Sequence, residues 1–455
     1  MPFDASVVPF PSQRPLEIAV VGAGISGMAA AWLLSGRHRV TVYEKDRRVG
    51  GHSHTVEAPS AAGPIPVDMG FIVYNEANYP NLTALFDRLG VRTKASDMSF
   101  GVSLDGGRLE YSSNSALSLF AQKKNLFSPR FWSMLADLIR FYRDAPADCC
   151  ALDQRLTSLG DYLCEEGYGR AFQDDHLLPQ AAAIWSTTAA GIRDFPAAAF
   201  IRFCQNHGLL KLKGRPEWRT VDGGSRAYVE LLTAAYAERV RTGCGVRAIR
   251  RSPEGVYVLD AKGEVARYDH VVVAAHADQA LKLLQDPTPQ EQALLGAFRY
   301  TTNRAVLHTD ARLMPVRRSC WSSWNYVGDR PSAAEPGDLC VSYWMNRLQR
   351  LPEHTPLFVT LNPARDPDPA RVIHAETYAH PLFDAAAIRA QRSLWSLQGV
   401  NNTWYCGAWF GSGFHEDGLQ AGLACAEALR GVRRPWTVAE ESGRIHLTAP
   451  LGAAA

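Results

Sequence analysis

Apolar residues run almost unbroken through "LEIAVVGAG" (16–24), the pattern of a short strand buried on both faces. The next segment, "ISGMAAAWLLSG" (25–36), reads as a helix closed by Gly36, and "HRVTVYEK" (38–45) as a second strand. Strand, helix, strand is therefore predicted, with a glycine-rich turn between the first two. Helical spacing returns in "YPNLTALFDRLG" (79–90), "FWSMLADLIRFYRD" (131–144) and "FPAAAFIRFCQNHG" (195–208), so 74–218 is predicted to be mainly helical. Residues 243–276 read as a strand, a hairpin turning through "SPEG", and an apolar strand, together completing the sheet begun at the N-terminus. From 299 to 378 branched and aromatic residues alternate with polar ones, which predicts antiparallel strands. Residues 402–431 read as a strand, a glycine-rich loop and a helix starting at about Leu419.

These elements imply an α/β chain. A Rossmann-type nucleotide-binding domain (16–73, 219–298 and 400–431) interleaves with an α+β substrate domain (74–218 and 299–399) made of an antiparallel sheet with a helical cap. An N-terminal arm (1–15) and a C-terminal tail (432–455) flank them. A length of 455 residues suits more than one core. With 48 basic and 46 acidic residues, no global field favours nucleic acid. Nine scattered cysteines with no C-x-x-C spacing suit reduced thiols and a cytoplasmic home. No basic stretch followed by an apolar one marks an export signal. The uncharged run 18–36 is long enough to raise a membrane span, but its turn-spaced glycines and following strand place it in a βαβ unit.

The first turn carries the chemistry. Gly22 permits the tight turn, Gly24 lets backbone approach a diphosphate, and Gly27 allows close helix packing; Ser26 sits at the helix N-terminus, where donors and the dipole favour an anion. Glu44, followed by Lys45, ends the second strand at the spacing of a carboxylate that accepts ribose hydroxyls. Arg48, Gly50 and Gly51 in "RRVGG" add a second glycine approach, favouring FAD over NAD.

With this extension the chain resembles the flavin-containing amine oxidase and phytoene desaturase superfamily, in which R-x-G-G is followed by D-x-G, here Asp68 and Gly70 in "VDMGFIVYN" (67–75). The resemblance implies FAD, with His52, Met69, Gly70 and Phe71 beside the flavin and Val246 at the adenine end. It also implies that Gly407, Asp417, Gly418 and Leu419 lie at the loop and helix facing the flavin. Relatives carry a glutamate after the loop's first glycine, whereas Ala408 follows Gly407 here. The loop 407–418 has no cysteine to attack the flavin, so the cofactor is expected to be non-covalent. "VLHTDARLMPVRRSCWSSWNY" (306–326), "SYWMNRLQRL" (342–351), "FVTLNP" (358–363) and "GFHEDG" (413–418) resemble a narrower bacterial group of FAD-dependent oxidoreductases, often encoded beside cyclopropane-fatty-acyl-phospholipid synthases. That likeness implies redox modification of an unsaturated, methyl-branched or cyclopropane acyl chain, with a lipid-modifying synthase as a partner. A flavin amine oxidase, a polyene desaturase or isomerase, and a non-catalytic flavin-binding partner are the alternatives.

His415, Glu416 and Asp417 form the densest group of proton handlers, and Asp417 equally suits a helix-start carboxylate. His308 and Asp310 suit a strand-end turn or catalysis. Trp321, Trp324, Tyr326, Tyr343 and Trp344 suit either sheet core or a slot gripping an apolar substrate. No metal site is expected: His52 and His54 stand two apart with no carboxylate or cysteine nearby in sequence. The stretch 123–144 mixes Lys123, Lys124, Arg130, Arg140 and Arg143 with Phe127, Phe131 and Trp132. It suits a packed helix with a charged face, or docking on an anionic membrane surface from the cytoplasmic side.

Overall fold

The computed structural model describes residues 14–211, 213–330 and 340–447; most of the predicted arm and the end of the predicted tail lie outside them. The first strand, Glu17–Val21, is the centre of a five-stranded parallel sheet. Arg39–Tyr43 and then Val240–Arg241 lie on one side, His270–Val273 and then Thr403–Tyr405 on the other. Ile18, Ala19 and Val20 are fully buried, as an apolar run covered on both faces must be.

Helix Ile25–Ser35 leaves the first strand and crosses helix His415–Ala428 at close range. A Cβ on Gly422 would fall 2.2 Å from the Ser26 carbonyl oxygen. This contact lets both helices start side by side at the carboxyl end of the sheet, where open α/β folds bind ligands.

The hairpin predicted to complete this sheet does not do so. Val246–Ser252, Gly255–Asp260 and Val265–Tyr268 form their own antiparallel sheet, and only His270–Val273 joins the parallel one. A tight turn forces its two strands antiparallel, so the hairpin pairs with itself.

The second large sheet has seven strands in the order Val372–Leu382, Arg299–His308, Phe358–Leu361, Val341–Trp344, Trp324–Gly328, Phe100–Leu104, Leu109–Ser112. It is antiparallel except where Trp324–Gly328 runs parallel to Phe100–Leu104. The mainly helical stretch therefore also supplies two strands of this sheet. Its predicted helices appear as Pro80–Leu89, Pro129–Arg155 and Ala197–Asn206. Helix Pro129–Arg155 runs past its predicted end, burying Phe131, Met134, Phe141, Ala145, Cys149 and Leu152 along one face. Among the described residues no helix is long and apolar enough to cross a membrane.

Candidate active site

At the carboxyl end of the parallel sheet a cavity of 530 Å³ opens toward the seven-stranded sheet and the helical cap. The three glycines of the first turn do different work. Gly22 adopts φ +103°, and a Cβ there would lie 2.7 Å from the Ala274 carbonyl oxygen; on Gly27 it would lie 2.0 Å from the Gly22 carbonyl oxygen. Gly24 is the opposite case: a Cβ there would meet nothing within 4 Å, because this residue borders the cavity at the start of helix Ile25–Ser35. Open space against free N–H groups at a helix start fits a diphosphate. Gly51 closes the other side, its Cβ position 3.0 Å from the Gly24 Cα.

Glu44 is buried and takes the backbone N–H of Ala23 at 2.7 Å on one oxygen and that of Asp46 at 2.9 Å on the other. Burial raises its pKa, against the pull of those two donors. Each oxygen keeps a lone pair for a ribose hydroxyl. Ser26, Lys45, Arg48 and Gly50 border the same end, and Arg48 donates to the Gly51 carbonyl at 2.8 Å. Val246 does not itself border the cavity. It opens the separate hairpin, behind Gly245, which already lies against Lys45.

His52, Met69, Gly70 and Phe71 all border the cavity. A Cβ on Gly70 would sit 2.3 Å from the His52 carbonyl oxygen, so only glycine allows these segments to touch. Asp68 anchors the crossing. Fully buried, it accepts hydrogen bonds from the Thr55 hydroxyl (2.6 Å), the Ser225 amide (2.9 Å) and hydroxyl (2.7 Å), and the Gln349 amide (2.9 Å). Burial pushes its pKa up to about 6, with the Thr55 and Ser225 donors opposing. His52 packs against Tyr378 and His380 at ring distances of 4.9 and 5.4 Å, and its buried Nε2 has no hydrogen-bond partner. Burial, reinforced by His380, His276 and His415, holds its pKa well below the ordinary value. That shift favours the uncharged ring, and its unpartnered Nε2 is available to a bound molecule.

The cavity-facing helix begins at His415 rather than at about Leu419. His415, Glu416 and Asp417 therefore make its first turn, and their side chains diverge. His415 faces the cavity, stacks on Phe71 at 3.8 Å and stands 2.7 Å from the Tyr228 hydroxyl; burial lowers its pKa to about 3. Glu416 turns inward and accepts from the Asn81 and Leu82 backbone amides, 3.1 and 3.0 Å, at the start of helix Pro80–Leu89. Asp417 accepts from the Ser412 and Phe414 amides at 3.1 and 2.8 Å and pairs with Arg444. Glu416 and Asp417 are thus helix caps and not cavity-facing acids. Asp417, Gly418 and Leu419 do not border the cavity; Gly407 and the stretch from Ser412 to His415 do. His308 and Asp310 form a turn away from it, His308 bonded to the Thr360 hydroxyl at 2.7 Å and taking the Asp310 amide.

Beyond this end the wall becomes aromatic. Trp324 and Tyr343 stand opposite each other on paired strands, 4.8 Å apart edge to face, and both border the cavity. Trp321, Tyr326 and Trp344 do not. Successive residues of a strand face opposite sides, so Trp344 points away from Tyr343's face and packs with Trp321, Met314 and Phe358. Tyr326 fills the core two residues along from Trp324. The cap supplies residues the sequence pattern did not single out: Trp185, Phe203 and His207, joined by Phe414, with Phe203 4.6 Å from both Trp185 and Phe414. Charged residues border the cavity only at Glu44, Lys45, Asp46 and Arg48, and at Glu376 on the edge strand; the aromatic end has none among the described residues. From strand Arg299–His308, Tyr300 and Ala305 face the cavity.

Comparison with known proteins agrees with this layout. The chain is 43% identical over 79 residues to protoporphyrinogen oxidase 2, chloroplastic/mitochondrial, of Arabidopsis thaliana, a match covering 17% of this chain and 15% of that protein. Two solved structures superpose along most of the chain. Putrescine oxidase bound to putrescine has a TM-score of 0.64 at 15% identity, covering 91% of this chain and 99% of that one. A CLA-producing fatty acid isomerase from P. acnes has a TM-score of 0.63 at 17% identity, covering 91% and 98%. Residues 25–347 match the family described as flavin containing amine oxidoreductase. With that match spanning most of the chain, and with a helix start, glycine pair and ribose carboxylate suited to an FAD, this protein belongs to the flavin-containing amine oxidoreductase family and is an FAD-dependent oxidoreductase.

Proposed function

We propose that this oxidoreductase acts on an apolar substrate, a lipid acyl chain bearing a double bond, methyl branch or cyclopropane. The carrying observation is the uncharged aromatic end of the cavity. A protonated amine entering it would leave its hydration with no carboxylate there to receive it. A methylene chain gains about 25 cal/mol for each Å² it buries. The fatty acid isomerase of similar fold supports this reading, while putrescine oxidase shows that the fold also serves amines. FAD, when bound, supplies the two-electron acceptor; the chain's part is to align the substrate, exclude water and keep His52 and His415 neutral beside it. Anaerobic mixing of holoprotein with such fatty acids or phospholipids is expected to bleach the flavin, or to reoxidise flavin reduced beforehand. A spectrum moved by amines and by no lipid would replace this reading with amine oxidation.

The substrate would be met at a membrane surface. Leu117 and Phe127 are 87% and 86% exposed, Trp132 is half exposed, and Lys123 and Lys124, in the same stretch of chain, are exposed as well. Arg130 is no such anchor, since it pairs with buried Asp175 at 2.7 Å; Arg140 and Arg143 pair with Asp137 and Asp144. Each lysine near an anionic surface contributes about 1 kcal/mol. The double variant Lys123→Ala, Lys124→Ala should therefore bind phosphatidylglycerol vesicles about 30-fold more weakly, with its flavin content intact. Equal sedimentation of variant and parent would return this surface to plain solvent exposure.

A further inference from the structure

His374 and Glu376 stand two apart on the edge strand Val372–Leu382, so their side chains share a face. That face meets His54, just beyond the glycine pair. Glu376 Oε2 lies 3.8 Å from His54 Nδ1 and 3.9 Å from His374 Nε2, and the ligand atoms of the three residues fall within 4.8 Å of one another. The two imidazoles stand edge to face at 5.3 Å. An independent observation concerns His374 Nε2, which is buried and has no hydrogen-bond partner.

The geometry points to a divalent transition-metal site formed by His54, His374 and Glu376 at the rim of the cavity, with zinc as its representative ion. Two imidazoles and a carboxylate suit zinc, which binds such donors at about 2.0–2.2 Å and completes its shell with water. Tetrahedral ligands at that length stand about 3.4 Å apart, so small side-chain rotations close the gap. The ion would take the His54 Nδ1 lone pair that now lies 3.1 Å from the Tyr378 hydroxyl. Arg48 is the opposing charge near His54, and Glu376 offsets it. Bound there, the ion would clip the edge strand of the substrate sheet to the segment that follows the nucleotide-binding turn.

The test uses chelator-treated holoprotein titrated with zinc chloride against a chromophoric chelator. One equivalent of zinc is expected to bind saturably, magnesium and calcium are expected not to compete, and zinc should raise the melting temperature. His374→Ala, and independently Glu376→Gln, should each weaken zinc binding at least tenfold and abolish the thermal shift, with the flavin spectrum unchanged. Non-saturable binding, or saturable binding that neither substitution affects, would overturn the site.

Discussion

Gly24→Val is expected to purify folded and colourless. A Cβ at Gly24 meets no atom within 4 Å, so a valine side chain starts out in open space and not against the backbone. The same space adjoins the free N–H groups of helix Ile25–Ser35, where the diphosphate is to lie. Losing two hydrogen bonds to a charged group costs about 3–6 kcal/mol, or more than 100-fold in affinity. Gly22 and Gly27 make the contrast. A Cβ at either collides with backbone, so Gly22→Ala and Gly27→Ala are expected to melt earlier or fail to fold. Flavin absorbance per protein and a thermal melt separate the two outcomes. A Gly24→Val protein carrying a full complement of flavin would place the diphosphate elsewhere.

This contrast also shows what could be read from the sequence and what could not. The strand, turn and helix of 17–35 are local: apolar periodicity and glycine spacing act within a few turns of chain, and the fold keeps them. The start of helix His415–Ala428 was obscured by Gly418, which looks like a break in a helical pattern. It sits inside the helix because a Cβ there would approach the Ser26 hydroxyl to 2.8 Å. That constraint comes from a segment almost four hundred residues away. The tryptophans were countable but their facing was not, since a strand's two sides are told apart only once its neighbours are known. Trp324 and Tyr343 reach the cavity, while Trp321 and Trp344 build a separate cluster behind the sheet. The meeting of His54 with His374 and Glu376 is of the same kind: two residues two apart on one strand, and a third more than three hundred positions earlier. The spacing of His52 and His54 alone gave no hint of it.

A charge placed in the aromatic wall should separate substrate binding from cofactor binding. Trp324 suits the purpose: it borders the cavity, is only partly buried, and its ring nitrogen has no hydrogen-bond partner to lose. Its strand position opposite Tyr343 directs the substituted side chain into the cavity as well. Trp324→Glu therefore removes apolar contact and sets a carboxylate against any acyl chain that enters. Lost burial and the desolvation of the carboxylate together cost about 3 kcal/mol, which corresponds to about 100-fold in affinity. The glycine turn and Glu44 are not part of this wall, so the flavin-to-protein ratio is expected to match the parent. Spectral titration with a long-chain fatty acid would show a dissociation constant raised about 100-fold, while a short amine, now offered a carboxylate partner, should bind no worse than before. Fatty-acid binding unaffected by Trp324→Glu would mean that the aromatic end is not where the acyl chain lies.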